Sequence, residues 1–264
     1  MTLSLQSRAA ITLATLVCGL VPLARAADTP LTDPVYLAAP GSLKPEQVAQ
    51  MQKRLLDWPQ LARYRDENAA LAPPAKGVRR VVFYGDSITE GWGPTGSGRF
   101  FPGKPYVNRG ISGQTTAQML VRFRQDVLDL KPAVVVILAG TNDIAGNTGP
   151  SSRQMIEDNL HSMVELASAH GIRVVLSSVL PVSTYPWRPG SHPAEDVRAL
   201  NAALREYARQ QGLVYLDYYA AMANAAGGLD PNLAKDGVHP TDAGYAIMAP
   251  MAEQAIAQAL RRRA

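Results

Sequence analysis

Ser87 stands in Tyr84-Gly85-Asp86-Ser87-Ile88, directly after the apolar run Val81-Val82-Phe83, and Asp236-Gly237-Val238-His239-Pro240 lies near the other end of the chain. A serine hydroxyl is a weak nucleophile at neutral pH. It becomes effective when an imidazole takes its proton and a carboxylate holds that imidazole in the right tautomer. The two segments contain all three groups. Between them, Ile111-Ser112-Gly113-Gln114 and Ala139-Gly140-Thr141-Asn142-Asp143 each follow a predicted strand and offer hydrogen-bond donors to an oxyanion developing on an attacked carbonyl.

A lone Gly-Asp-Ser is a weak signal, but four short motifs in a fixed order, each placed after a strand, are specific. Together they resemble the SGNH hydrolases, the GDSL-type esterases and lipases, over residues 79 to 255. The resemblance implies an ester hydrolase without a cofactor. It implies Ser87 as nucleophile and first oxyanion donor, Gly113 as a backbone N–H donor, Asn142 as a side-chain amide donor, and Asp236 with His239 as the rest of a triad. Ile88 departs from the name-giving motif, which has leucine there. Both are apolar at a position expected to face the core.

These motifs need a scaffold, and the first residues do not belong to it. Arg8 precedes an apolar stretch from Ala9 to Leu23, and Ala24-Arg25-Ala26 forms an A-x-A cleavage site, so residues 1–26 read as a secretory leader. An apolar stretch of about 15 residues is short for a membrane span, which needs about 20. Export is therefore expected, to the periplasm or beyond, without stable membrane insertion after cleavage. The segment before Cys18, Thr15-Leu16-Val17, is a poor match to a lipoprotein signal. The leader carries Arg8 and Arg25 and no acid, so its removal takes the formal charge from +4 to +2. Such a balanced chain gives no electrostatic reason to bind nucleic acid, and Arg261-Arg262-Arg263 reads as a solvated tail. Cys18 is the one cysteine, so the mature chain would use no disulfide. About 240 residues suffice for one α/β core.

Residues 27–76 read as an N-terminal extension: a Pro- and Ala-rich lead-in, one helix over about 45 to 65, and a linker from Asp66 to Gly77. From residue 77 onward apolar runs at Val81 to Tyr84, Val134 to Ala139, Val174 to Ser178 and Val214 to Asp217, with a weaker one at Tyr106 to Asn108, read as strands covered on both faces. Helical patterns separate them. Ser151-x-x-Gln154 predicts a capping box, followed by the stripe Met155, Leu160, Met163, Val164 and Ala167, with Gly171 as the stop. Val197, Leu200, Leu204, Tyr207 and Ala208 repeat the pattern before Gly212. Alternating strands and helices predict a three-layer, doubly wound, flavodoxin-like α/β fold with a mostly parallel five-stranded sheet. Ligands bind such sheets at the carboxyl ends of the strands, which is where all four motifs fall.

Among the histidines, only His239 has an acid three residues earlier and a turn imposed by Gly237 and Pro240; His161 and His170 fall in a predicted helix and His192 in a Pro-rich loop. Asp143 reads as a residue that holds loops together rather than a catalytic one. Gly110 is a lesser candidate for the donor role of Gly113. Trp92, Tyr185 and Trp187 lie in predicted loops near the strand ends, where aromatics either pack or form a substrate platform. Gly91 to Gly96 matches G-x-G-x-x-G but opens no helix, and Gly98 to Lys104 fits a phosphate loop except that Pro105 replaces the hydroxyl residue. No motif suggests a metal site.

The expected activity is hydrolysis of short-chain carboxylic esters through an acyl-enzyme, with O-acetyl groups on carbohydrate as the leading substrate. The same residues would serve a lysophospholipase, a thioesterase or an O-acyltransferase. A carbohydrate-binding domain without catalysis would have no use for Ser87, Asp236 and His239 together.

Overall fold

The computed structural model describes residues 32–262 except Thr95; the predicted leader lies outside the described residues. Two helices, Pro45–Leu56 (α1) and Arg65–Ala70 (α2), precede the sheet. The first helix ends at Leu56, where Asp57 leaves helical geometry with φ −144° and ψ 70°, and Pro59 just beyond offers no N–H to resume it. Asp57 closes the break, its carboxylate accepting from the N–H groups of Leu61 and Ala62 at 2.8 and 2.9 Å. The stretch read as a linker therefore contains α2, and the extension has two helices rather than one.

The strands are Val81–Gly85 (β1), Tyr106–Gly110 (β2), Val134–Leu138 (β3), Arg173–Ser177 (β4) and Val214–Leu216 (β5). Among the described residues they form one five-stranded sheet in the order β2-β1-β3-β4-β5, and every pairing is parallel. The expected fold holds, with parallel pairing throughout. The remaining helices are Ser87–Glu90 (α3), Thr116–Asp126 (α4), Thr141–Ile144 (α5), Arg153–Ala169 (α6), Ala194–Gln210 (α7), Tyr218–Met222 (α8) and Asp242–Arg261 (α9).

Strand side chains alternate between two cores, as period-two geometry requires. Val82, Tyr84, Val135 and Ile137 pack with the apolar faces of α4, α6 and α7. Val81, Phe83, Val134 and Val136 pack with α8, α9 and the aromatic loop after α3. At α6 the cap lies one residue beyond the predicted one: Ser152 Oγ accepts from Met155 N–H at 3.2 Å. The chain leaves β1 for β2 on one side and later places β3 on its other side. That reversal opens a crevice at the carboxyl ends of β1 and β3.

Two buried ionic devices hold the loops at that end. Arg122 on α4 is fully buried, stacks over the Tyr84 ring at 4.3 Å and pairs with Asp126 at 2.9 Å. Its other donors reach Gly85 O and Arg109 O, each at 3.0 Å, and the Gln114 side chain at 2.5 Å. One guanidinium thus joins the ends of β1 and β2 to the loop that carries Gly113. Removing one partner of such a buried pair typically costs about 3–5 kcal/mol, because the other charge is left uncompensated.

Asp143 is the second device. Its carboxylate accepts from Thr116 N–H at 3.0 and 3.1 Å and from Thr116 Oγ1 at 2.6 Å, fastening α5 to the start of α4. Burial pushes its carboxyl up to about 7, against the hydrogen bonds from Thr116. An acid raised in the native state binds its proton more tightly there than in the unfolded chain, where its value is about 3.9. Its contribution is therefore most favourable below about pH 4 and is lost as pH rises to about 7. Thermal unfolding of the wild type and Asp143→Asn between pH 4 and 8 checks this. The Tm difference should move in favour of the Asn variant as pH rises; a pH-independent difference would contradict it.

Candidate active site

The turn after β1 is as tight as a glycine allows. A Cβ on Gly85 would lie 2.1 Å from Thr89 Oγ1 and 2.7 Å from Leu138 O. Asp86 then caps α3, its Oδ1 accepting from Ile88 N–H at 2.9 Å, and Ser87 opens the helix. From below, Tyr245 OH donates to Ile88 O at 2.7 Å. Ser87 is thereby fixed at the crevice.

His239 reaches Ser87 from a turn after the sheet is complete. Gly237 has φ +78°, a conformation that suits glycine, and Asp236 Oδ1 accepts from the N–H groups of Val238 and His239 at 3.0 and 2.8 Å. The other carboxylate oxygen lies 2.6 Å from His239 Nδ1, while Nε2 lies 2.9 Å from Ser87 Oγ. Burial alone would raise the Asp236 carboxyl, but the hydrogen bonds from His239 and Val238 hold it below its ordinary value. A carboxylate so placed fixes the tautomer that leaves Nε2 free to accept a proton. Hydroxyl, imidazole and carboxylate form one line.

Three candidate donors border Ser87. The Ser87 and Gly113 N–H groups have no partner among the described residues. Gly113 has φ +77° and open space where a Cβ would stand. Gly110, the lesser candidate, is engaged instead, its N–H donating to Asn108 Oδ1 at 2.9 Å. Asn142 Nδ2 donates to Gln114 O at 3.0 Å and lies 3.4 Å from Asp86 Oδ2; its Oδ1 accepts from Asn147 at 2.7 Å. Burial pushes the Asp86 carboxyl up to about 6, with the Ile88 N–H and His239 opposing.

Ser87, Gly113, Asn142 and His239 line a cleft of about 1140 Å³. Trp187 joins them, half-buried, with its ring centroid 6.2 Å from that of His239. Trp92 and Tyr185 do not. Trp92 is buried and stacks on Tyr245 at 4.9 Å in the second core, and Tyr185 is fully buried with its hydroxyl donating to Thr141 O at 2.9 Å. Both are packing residues, because each ring is buried in one of the two cores that flank the sheet. Of the other histidines, His161 stacks on Tyr207, His170 caps α6 and His192 is exposed; none lines the cleft.

The cleft's other wall is not marked in the sequence. The extension contributes Met51, Arg54, Leu55 and Trp58, and the segments on either side of α1 are tied to the domain. Asp33 pairs with Arg188 at 3.0 Å at one end; Gln118 Nε2 donates to Trp58 O at 2.6 Å at the other. Asn147, a neighbour of Asn142 in space and close in sequence, is not marked there either. Nothing local in either segment marks it as part of the site. Among the described residues, no group of three or more His, Cys, Asp or Glu side chains is placed to hold a metal ion, and no helix is long and apolar enough to cross a membrane.

Comparison with known proteins supplies relatives for this geometry. The model of the GDSL-like Lipase/Acylhydrolase family matches residues 83–247. A GDSL-like lipase structure from Bacteroides thetaiotaomicron is 47% identical and superposes with a TM-score of 0.72 over 76% of this chain and 98% of that one. Two curated relatives are an acetylxylan esterase of Xylanibacter ruminicola, 26% identical over 71% of this chain, and an uncharacterized lipoprotein of Bacillus subtilis, 40% identical over 29%. This chain spans 45% and 32% of their lengths. A match covering most of the sheet and the segments that carry Ser87, Asn142, Asp236 and His239, together with a solved relative aligned over nearly its whole length, leaves one assignment: the chain belongs to the GDSL-like lipase/acylhydrolase family, a family of ester hydrolases.

Proposed function

We propose that this protein is an exported serine esterase that removes short acyl groups, with an O-acetyl group on a carbohydrate as its substrate. The observation that carries the reading is the unbroken line from Ser87 Oγ through His239 to the Asp236 carboxylate, at 2.9 and 2.6 Å.

In this reading His239 Nε2 takes the Ser87 proton as Oγ bonds to the ester carbonyl carbon. The carbonyl oxygen becomes an oxyanion facing the Ser87 and Gly113 N–H groups and the Asn142 amide. Asp236 stabilises the imidazolium without taking its proton. Collapse of the tetrahedral intermediate breaks the bond to the alcohol, which leaves with the proton from His239. Water then gives a proton to His239, attacks the acyl-serine and releases the acid, restoring Ser87. No cofactor takes part in these steps.

The substrate class rests on the cleft. Its volume of about 1140 Å³ exceeds what an acetyl group needs, so the space accommodates a large alcohol part. Trp187 and Trp58 supply aromatic faces, and Asn147 and Arg188 supply polar groups, a combination that suits a sugar chain. The acetylxylan esterase relative supports the same class. A lysophospholipase, a thioesterase or an acyltransferase would use the same three groups and differ in the acyl chain or acceptor. The leader at residues 1–26 supports export, as does the likeness to a lipoprotein. N-terminal sequencing of the exported protein should start at Ala27; a retained leader would contradict cleavage.

A series of p-nitrophenyl esters from acetate to palmitate, followed by acetylated xylo-oligosaccharides, tests the substrate. Activity should be highest on acetate and present on the sugars. A preference for chains of about eight carbons or more would replace this reading with a lipase-like one. Ser87→Ala should lose several orders of magnitude in kcat while remaining folded, by analogy with the roughly 10⁶-fold loss in a serine protease. Asn142→Ala should lower kcat by about 10²–10³ with little change in KM. A change in KM alone would make Asn142 a substrate contact.

A further inference from the structure

We propose that Trp187 and Asn147 form a relay that fixes which end of the Asn142 amide faces the oxyanion, making both of them positioning residues. The proposal rests on the reading of Asn142 as an oxyanion donor. A carboxamide is nearly symmetric in shape, so packing alone does not decide whether its oxygen or its NH₂ points at the reaction centre; its hydrogen-bond partners do. A reversed Asn142 would present an acceptor to the oxyanion and oppose the reaction.

The relay begins at a group with no choice. An indole N–H only donates. Trp187 Nε1 lies 3.2 Å from Asn147 Oδ1, so the oxygen of Asn147 must face the indole and its NH₂ must face away. That NH₂ donates to Asn142 Oδ1 at 2.7 Å and lies 3.5 Å from Gly113 O. The oxygen of Asn142 is thereby held, and its NH₂ turns toward Gln114 O at 3.0 Å and toward Oδ2 of Asp86, the residue before Ser87, at 3.4 Å. Reversing Asn142 would set NH₂ against the NH₂ of Asn147 and oxygen against the Gln114 carbonyl. The backbone reinforces the arrangement, with Asn147 N–H donating to Asn142 O at 3.0 Å.

A consequence concerns Trp187. Its ring lies on the cleft beside His239 while its N–H starts the relay, so a substrate that moves the ring also acts on the oxyanion donor. A simple stacking platform would alter KM alone.

Trp187→Phe keeps a ring and removes the N–H; Asn147→Leu keeps a similar volume and removes both hydrogen-bonding ends. Each is measured on p-nitrophenyl acetate, alone and combined with Asn142→Ala, with kcat and KM determined separately and thermal unfolding run on every variant. Each single substitution should lower kcat about tenfold or more, without exceeding the loss expected for removing the donor itself. In the Asn142→Ala background neither should lower kcat further, because the group they orient is gone. Losses that multiply in that background, or unchanged kcat in both single variants, would overturn the relay while an impaired Asn142→Ala keeps the oxyanion reading. Full activity of Asn142→Ala would overturn both. Should Asn147→Leu fail to fold, Trp187→Phe carries the same comparison.

Discussion

The buried Arg122 guanidinium is the contact on which the carboxyl-end geometry depends. Its charge is balanced by Asp126, and its remaining donors are spent on Gly85 O, Arg109 O and the Gln114 side chain. Gly85 precedes Asp86 and Ser87, Arg109 is the penultimate residue of β2, and Gln114 follows Gly113. The Gln114 carbonyl in turn accepts from the Asn142 amide. The loops after β1, β2 and β3 are therefore joined through one side chain and one residue next to it. Loops at strand ends are ordinarily the most mobile part of an α/β fold; here a buried charge with several acceptors restrains them.

This arrangement puts electrostatic cost where precision is needed. Asp86 and Asp143 are both buried, and burial raises each carboxyl, to about 6 and about 7. Hydrophobic residues in their place would fill the volume at lower cost, but they could not hold Ile88 N–H at the start of α3 or clamp Thr116 to α5. Asp236 is the opposite case: it sits at the exposed end of the line, and its hydrogen bonds outweigh burial. Buried acids keep the framework, and the more exposed acid remains ionised beside His239.

What the sequence discloses follows how local each feature is. The strands β1, β3, β4 and β5 are legible because their apolar runs need no knowledge of their partners, the half-buried edge strand β2 less so, and Ser87, Gly113 and Asn142 are legible because each closely follows a strand. The fates of Trp92 and Tyr185 are not: a loop position says nothing of burial, which is set by Tyr245 and Thr141, remote in the chain. The wall built by Met51, Leu55 and Trp58 is hidden for the same reason, since nothing in the extension states where it docks. Pro59, with no N–H to continue a helix, is a local signal for the break after α1, although Pro250 sits inside α9 without ending it.

If the proposed mechanism holds, Ser87 is the residue that attacks the ester. Intact-mass and peptide analysis after treatment with an organophosphonate carrying a p-nitrophenoxide leaving group tests it most directly, since only an activated hydroxyl displaces that group quickly. A single adduct is expected, on the peptide containing Ser87, forming in step with loss of esterase activity and absent from His239→Ala. An adduct on another serine, or activity that survives full labelling of Ser87, would contradict it.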